Sequence, residues 1–456
     1  MSADCVLLPG IRHQQASELV ERAGVAPPVD AYEVAAALEA NGISDRTAME
    51  RYGRPDVFVL GAELLPGLRM QAVRYAVAPV AARVKLVPTL QRGLVFVLPA
   101  LLTGSAMGGR SAKLEVLLLL ASVAYGWAAG QGVAYAGYAL TSAGSLPEAR
   151  RVMRDLAILA LIPVLVGAGL IGWQVPSVGY VAGVAFGQIA YVLASSIGVV
   201  LQRPGLMLIV LLPGLLVAAP DLAFGLLPRT VVLAGIGTTV LGTVLAALWL
   251  CRSGRRASRP VRRTVLADSR LYAGYGLCLA LLLTLGLLDG LVDSTAGLGL
   301  TLTPLVGGVL MAEWQLEVYR GRAGLALQTT NSAAAFALTI RGALLRCVGG
   351  YLGVVVILTV LLAWSGDHLQ PVAIVRFAAT VLLGWTFLSA LLLVAHRQIV
   401  PVLVVTGIGV VLTACRYLVT DQALLLAACY FVICGSLAIT LSVLCWQRLT
   451  KVEAHR

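Results

Sequence analysis

The chain has 456 residues, of which 59% are hydrophobic and only 12% are charged, and its formal net charge is +12. About a quarter of the residues of a typical soluble domain are charged. The composition therefore excludes a soluble globular protein and predicts an all-α, polytopic membrane protein whose main solvent is the lipid bilayer.

The positive charge is concentrated in one part of the chain. Residues 1–88 hold nine Lys and Arg against ten Asp and Glu, whereas residues 89–456 hold 25 against 12. Because these charges lie in loops between apolar runs, where they orient membrane proteins, we expect no nucleic-acid partner. The eight cysteines include no CxxC pair and fall mostly within apolar runs, so we predict no disulfide framework, metal site or cofactor.

Residues 1–88 are predicted to form a small cytoplasmic domain of helices. Asp30 and Glu33 have the spacing of a capping box, and Ser44 is a typical helix cap. His13 has no partner at ligand spacing, so we expect no catalysis here. Two roles stay open. The domain could dock a cytoplasmic partner such as a glycosyltransferase, or it could lie on membrane lipid as an amphipathic collar. The basic residues of that collar would be Arg69, Arg74, Arg83 and Lys85.

Twelve membrane spans are predicted, in two lobes of six. A helix needs about 20 apolar residues to cross the hydrocarbon layer. Runs of that length in the first lobe, 89–251, lie near 90–109, 114–140, 155–175, 177–201, 205–226 and 229–251. Those of the second lobe, 272–456 with its short cytoplasmic tail, lie near 272–292, 296–314, 346–364, 371–395, 398–417 and 422–446. Pro99 and Pro304 interrupt the first and the eighth span.

A basic cytoplasmic linker, 252–271, joins the lobes. With the N-terminus in the cytoplasm, 20 of the 25 Lys and Arg of the membrane part fall on the cytoplasmic side. Four fall outside, namely Arg110, Lys113, Arg229 and Arg416. The positive-inside rule therefore predicts that both termini are cytoplasmic and that the number of spans is even. Two bundles joined in this way are typical of secondary transporters, although any inner loop collects arginine.

The second span is unusually polar for a membrane helix. It carries Gln131 and Tyr135, and the fourth span carries Gln188. Polar groups are costly in lipid, so these three residues are candidates for a substrate pathway. Glycines at a spacing of four are better explained by close helix packing; the pairs are Gly126 with Gly130, Gly183 with Gly187, and Gly349 with Gly353.

Arg376 lies inside the tenth span, roughly 8 Å along the helix axis from its outer end. Asp289, near the outer end of the seventh span, could pair with it if the two helices are neighbours. Such a pair would bind an anion or act as a gate. The alternative is that Arg376 reaches the outer surface and has no role in transport.

The order of these parts resembles the multidrug/oligosaccharidyl-lipid/polysaccharide exporter (MOP) superfamily, and in particular its Pel-type polysaccharide exporters. It also resembles actinobacterial membrane proteins of unassigned function that carry a stretch like ERYGRPDVF, Glu50 to Phe58. The superfamily resemblance implies a flippase, which moves a polysaccharide or a lipid-linked oligosaccharide through a cavity between the lobes. Arg376 and Arg92 would then hold an anionic group, whereas a neutral sugar chain would need Gln, Tyr and Trp.

The sequence leaves three functions open. The first is a flippase for envelope glycan, and the second is a scaffold that recruits a cytoplasmic glycosyltransferase without transport. The third is a small-solute or drug exporter, for which the first lobe offers Glu115 and Asp155, both near span ends. No GxxxxGK[ST], GxSxG or HExxH motif occurs, so we expect no enzyme.

Overall fold

The computed structural model describes residues 30–455 with gaps at 41, 77–85, 108–112, 226, 253–258, 293–297, 331 and 365–370. Within helices it leaves the side chains of 67–76, 86, 176–177, 259–262, 289–292, 298–307 and 362–363 undescribed. The chain folds as two compact units. One consists of Met1–Val84, Val318–Ala343 and His455–Arg456, and the other of Lys85–Glu317 and Leu344–Ala454.

The first unit contains a small domain of three helices, α1 (Ala31–Ala40), α2 (Asp45–Tyr52) and α3 (Val57–Ala76). The predicted caps are confirmed, since Asp30 accepts a hydrogen bond from the Glu33 N–H at 2.9 Å and Ser44 accepts one from the Thr47 N–H. The helices enclose an apolar core of Val34, Ala35, Leu38, Ile43, Ala48, Val57, Leu60 and Leu64. The predictions for His13 and for the side chains of Arg69, Arg74, Arg83 and Lys85 lie outside the described residues.

The second unit holds the membrane helices, which form the two lobes. The first lobe consists of α4 (Leu86–Val97), α5 (Pro99–Met107), α6 (Lys113–Ser142), α7 (Leu146–Gln174), α8 (Pro176–Val200), α9 (Pro204–Phe224) and α10 (Arg229–Leu250). The second lobe consists of α11 (Arg259–Val292), α12 (Leu298–Thr329), α13 (Ala333–Trp364), α14 (Pro371–Ala395), α15 (Ile399–Val419) and α16 (Ala423–Leu449). A short 3₁₀ turn, Val452–His455, follows.

Eleven stretches of the described residues are long and apolar enough to cross a membrane, and α4 and α5 together form the first of them. The predicted polytopic all-α fold is therefore confirmed. The first span divides at Leu98 because Pro99 has no N–H to continue the backbone ladder. The predicted eighth span corresponds to α12, which continues to Thr329, and the residues of α12 and α13 near their connecting turn belong to the first unit.

Glycine contacts show which helices pack closely. An added Cβ at Gly126 or Gly130 would lie 3.5 Å or 3.1 Å from side chains of α8, so the first predicted glycine pair does pack against a neighbouring helix. An added Cβ at Gly349, Gly353 or Gly183 would meet no atom of the described residues within 4 Å, so the structure shows no close helix crossing at these three glycines. Spacing alone does not distinguish a glycine at a helix crossing from one in open space, because both satisfy the same pattern.

Candidate functional site

The two lobes meet along a seam. On its first-lobe side are α4 and α6, and on its second-lobe side are α11, α12 and α14. We call the end of the bundle where α4 begins, at Leu86, and α16 ends, at Leu449, the terminal face. Because short turns join the helices, their directions alternate, so α6 and α12 run toward the terminal face and α11 runs away from it.

Three side chains at a spacing of four residues form a stripe along the seam face of α6, and we call them the seam stripe: Trp127, Gln131 and Tyr135. The Trp127 ring meets the Phe387 ring of α14 edge to face, with the ring centroids 5.5 Å apart. Gln131 packs against Gly276 of α11, where an added Cβ would lie 2.9 Å from the Gln131 Cγ. The stripe is therefore covered by the second lobe in this structure.

Tyr135, the member of the stripe nearest to the terminal face, contacts the second lobe through both its ring and its hydroxyl. Its ring stacks on the Tyr272 ring with the centroids 3.9 Å apart and an angle of 18° between the planes. Its hydroxyl donates a hydrogen bond to the Asp268 Oδ2 at 3.1 Å. An aromatic stack and a hydrogen bond to a carboxylate thus join α6 to α11 here.

An ion pair joins the lobes at a second point near the terminal face. The Arg92 Nη1 of α4 lies 3.0 Å from the Glu317 Oε1 of α12, and the two side chains are 19% and 30% exposed. One residue further along α4, an added Cβ at Gly93 would lie 3.2 Å from the Leu310 Cα. At this partial exposure an ion pair contributes on the order of 1 kcal/mol. Such a contact holds the lobes together without making their separation prohibitive.

The structure brings two of the predicted pathway residues, Gln131 and Tyr135, to the seam. Gln188 lies elsewhere, because its Oε1 is 3.2 Å from the Ser122 Oγ in the packing between α6 and α8, inside the first lobe. A polar side chain in a membrane helix can thus serve a contact within one lobe, and Ser122 supplies that partner for Gln188.

Arg376 lies half-buried on α14, and its backbone carbonyl accepts a hydrogen bond from the Thr380 hydroxyl at 2.9 Å. The side chain of Asp289, its predicted partner, lies outside the described residues. The pairing of Arg376 with Asp289 therefore stays a prediction.

Two residues of interest were absent from the sequence-based candidates. Trp127 shares the spacing of Gln131 and Tyr135, so the helical period could have identified it. Asp221 lies within the predicted fifth span, and its Oδ2 accepts a hydrogen bond at 2.5 Å from the hydroxyl of Ser105, which is fully buried. The first lobe therefore does contain a carboxylate within a span, and an Asp in an apolar run is a signal that could have found it.

The described residues contain no group of three or more His, Cys, Asp or Glu that could hold a metal ion. What the seam offers is a set of aromatic, amide and oppositely charged side chains between two helical bundles. This arrangement is suited to reversible binding of a polar molecule.

These observations define the class of fold: a polytopic membrane protein whose helices form two lobes that meet at a partly polar seam. Solved structures with this fold are transporters. A MATE in complex with MaL6 is 13% identical with a TM-score of 0.51, over 82% of this chain and 96% of that one. A MOP superfamily transporter from Pyrococcus furiosus is 13% identical with a TM-score of 0.52, over 82% and 96%.

An outward-facing MATE family multidrug resistance transporter of the MOP superfamily is 12% identical with a TM-score of 0.50, over 83% of this chain and 96% of that one. At these identities the similarity shows the fold, and it agrees with the predicted arrangement of twelve helices in two lobes. No family model matches the chain, and no curated protein matches it in sequence.

Proposed function

We propose that this protein is a membrane transporter whose lobes separate at the terminal face to admit a cargo and close there to release it on the other side. The observation that carries the proposal is the partly polar seam. Arg92 with Glu317, and Tyr135 with Asp268, are pairs whose groups water can solvate again when the lobes part. An interface that must open repeatedly favours such pairs over a continuous apolar core.

The orientation follows from the charge distribution. The basic residues of the membrane part lie mainly on the side of both termini, so we infer that the terminal face is cytoplasmic. Because the seam contacts lie between this face and the middle of the helices, we infer that the state described is closed toward the cytoplasm.

We infer that the cargo is a polysaccharide or a lipid-linked oligosaccharide, and the seam stripe supports this. The rings of Trp127 and Tyr135 offer flat apolar faces for sugar rings, and the Gln131 amide can both donate and accept hydrogen bonds with hydroxyl groups. Arg92, the cation at the same seam, is held by Glu317. The stripe therefore favours an uncharged segment of glycan over an anionic group.

A second candidate function, export of a small solute or drug driven by protons, is favoured by Asp221. This carboxylate lies within a span of the first lobe, where its Oδ2 accepts a hydrogen bond from buried Ser105. The two candidates differ in one measurable respect. If the cargo is a small solute exported with protons, Asp221→Asn should abolish that export. If the cargo is a glycan moved without this carboxylate, the same variant should leave glycan delivery unchanged.

A scaffold role would use the first unit. Tyr32 and Phe58 form an edge-to-face pair with centroids 5.6 Å apart, and they are 73% and 47% exposed. An exposed aromatic pair of this kind fits docking of a cytoplasmic protein such as a glycosyltransferase. A scaffold needs no movement at the seam, and that is the difference that the following experiment measures.

The test links the lobes covalently. Tyr135→Cys with Tyr272→Cys places two thiols across the seam, and a short bifunctional thiol reagent that can be cleaved by reduction joins them. The control pair, Tyr125→Cys with Ala160→Cys, joins α6 to α7 within the first lobe, where the Tyr125 hydroxyl donates to the Ala160 carbonyl at 2.8 Å. Delivery of envelope glycan to the cell surface is measured before and after reduction, in a background without reactive native cysteines.

We expect the seam link to stop glycan delivery reversibly and the control link to leave it unchanged. Native Cys251, just beyond α10, need not be removed, because burial raises the pKa of its thiol to about 11 against the opposing influence of Arg154 and Arg150. Delivery that continues with the seam linked would contradict transport by lobe movement and favour the scaffold.

A further inference from the structure

Two turns on the terminal face have an unusual backbone. Among the described residues, the non-glycine residues with positive φ are Gln202, at 58°, and Arg397, at 61°. The other described positions with positive φ are glycines, namely Gly42, Gly53, Gly144 and Gly225. The left-handed conformation is unfavourable for a residue with a Cβ, so a side chain at these two positions calls for an explanation.

The two turns have the same hydrogen-bond pattern. After α8, the N–H of Gln202 donates to the Val199 carbonyl and the N–H of Arg203 donates to the Gly198 carbonyl. This is a Schellman motif, in which the left-handed residue follows the helix cap. After α14, the N–H of Arg397 donates to the carbonyl three residues earlier, at Val394, and the N–H of Gln398 to the one five residues earlier, at Leu393.

The order of the helices along each lobe makes these turns equivalent. The first joins the fourth and fifth spans of the chain, and the second joins the corresponding spans of the second lobe. A third Schellman motif on the same face, after α6, has Gly144 at its left-handed position, with the Ser145 N–H donating to the Leu140 carbonyl. Glycine thus occupies the same turn there, and an added Cβ at Gly144 would meet no atom of the described residues within 4 Å.

At the first of these turns, the side chain contacts a pair that joins the lobes. The Gln202 Oε1 lies 3.4 Å from the Arg92 Nη2, and Arg92 binds Glu317 across the seam. Arg397 has the equivalent place in the second lobe, two residues after α14 ends at Ala395, on the face near which Tyr135 donates to Asp268. The two pairs correspond as well. Arg92 with Glu317 joins the first span of the first lobe to the second span of the second lobe. Tyr135 with Asp268 joins the second span of the first lobe to the first span of the second lobe.

We propose that Gln202 and Arg397 are equivalent positioning residues, which hold the two seam pairs and so favour closure of the terminal face. This proposal rests on the transport function proposed above. Gln202 acts through Arg92, because its Oε1 accepts from the Arg92 Nη2 while the Arg92 Nη1 lies on Glu317. Arg397, at the equivalent turn, acts on the second seam pair, in which Tyr135 donates to Asp268. A glycine would relieve the backbone strain at either turn but would lose this contact.

The experiment measures how often the terminal face is open. Spin labels at Ser142→Cys and Gln447→Cys, both exposed and near the terminal-face ends of α6 and α16, report the distance between the lobes in full-length protein in lipid nanodiscs. Gln202→Gly and Arg397→Gly test the side chains, Gln202→Glu and Arg397→Lys test rescue by a similar group, and Gly144→Asn serves as the control for a change at a Schellman turn.

We expect each glycine variant to raise the population of open molecules about threefold. The conservative variants should keep that population at the parent value or below it. Gln202→Glu can lower it because its carboxylate would make a charge-assisted contact to Arg92. Thermal stability should not fall in the glycine variants, because glycine suits the turn, and this separates positioning from a structural role. Gly144→Asn should leave the open population unchanged.

Arg92→Glu breaks a seam pair directly and shows whether the spin labels respond to opening. If it shifts the distance distribution while both glycine variants keep the parent distribution, the proposal is overturned. In that case the seam pairs act alone and the transport proposal stands. A distribution that does not change even for Arg92→Glu would instead count against lobe movement, and with it against the proposed function.

Discussion

At the scale of single residues, two arginines predicted as outward-facing loop charges bind backbone carbonyls instead. Arg229, at the start of α10, donates to the Ser105 and Ala106 carbonyls at the end of α5 and to the Tyr180 hydroxyl. Arg416, at the end of α15, is only 3% exposed. In each lobe, an arginine thus satisfies carbonyls of the lobe's first span, α5 or α11, on the face opposite to the terminal face.

Arg416 is expected to be important for stability. Its guanidinium donates to the Leu426 carbonyl at 3.0 Å and the Leu285 carbonyl at 2.9 Å, and it lies over the Tyr417 and Tyr430 rings. Arg416→Met removes these bonds and leaves carbonyls buried without their partner, at a cost of about 2–4 kcal/mol. Thermal unfolding in detergent should show the melting temperature falling by several degrees.

The matched control is Arg448→Met, at the exposed end of α16, which should change stability by no more than about 0.5 kcal/mol. Equal melting temperatures for the two variants would show that the contacts of Arg416 are not stabilising. The sequence could not indicate this role, because Arg416 stands near a predicted span end like any loop arginine. Its partners come from α11 and α16, which only the folded lobe brings together.

At the scale of helices, the seam depends on how closely α6 and α11 approach. An added Cβ at Gly276 would lie 3.0 Å from the Trp127 carbonyl oxygen and 3.1 Å from the Ala128 Cα, both of which belong to the backbone of α6. Gly276→Ala therefore pushes the helices apart, at a cost of about 1–3 kcal/mol. We expect a lower yield of cross-linking between cysteines at positions 135 and 272.

Gly274 provides the control on the same helix. An added Cβ there would be 3.5 Å from the Leu403 side chain, an ordinary contact within the second lobe, so Gly274→Ala should keep the parent cross-linking yield. If both variants cross-link as the parent does, close approach at Gly276 is not what holds the seam.

Helix boundaries show which part of the architecture the sequence could predict. Apolar runs located most spans to within a few residues, because the bilayer requires a fixed length of hydrophobic helix. The eighth span was predicted to end near 314, yet α12 continues to Thr329. Glu313, Gln315 and Glu317 lower its hydropathy without breaking the helix, since Glu and Gln are good helix formers.

At the scale of the whole molecule, the number of lobes could be predicted and the contacts between them could not. Span count and the basic linker follow from local composition, whereas the seam joins residues far apart in the chain. Arg92 and Glu317 are the clearest example. Arg92 was predicted to hold an anionic group of the cargo, and nothing local indicates that its partner is Glu317 or that α4 and α12 are neighbours. The candidates that proved to lie at the seam, Gln131 and Tyr135, share a helical face that the sequence does show.

The ion pair itself can be tested by exchanging its charges. Arg92→Glu or Glu317→Arg alone places like charges about 3 Å apart, so each should open the terminal face and reduce glycan delivery. The double variant restores opposite charges and should recover most of both. For a pair of this exposure the coupling is about 1 kcal/mol, which corresponds to roughly a fivefold change in the ratio of open to closed molecules.

Spin-label distances between the lobes measure that ratio, and glycan at the cell surface measures delivery in the same variants. Recovery in the double variant shows that the attraction between the two side chains, rather than either charge alone, favours closure. If the double variant is as open as the single ones, Arg92 and Glu317 act independently. The terminal face would then be closed by other described seam contacts, such as those of Tyr135 with its second-lobe partners.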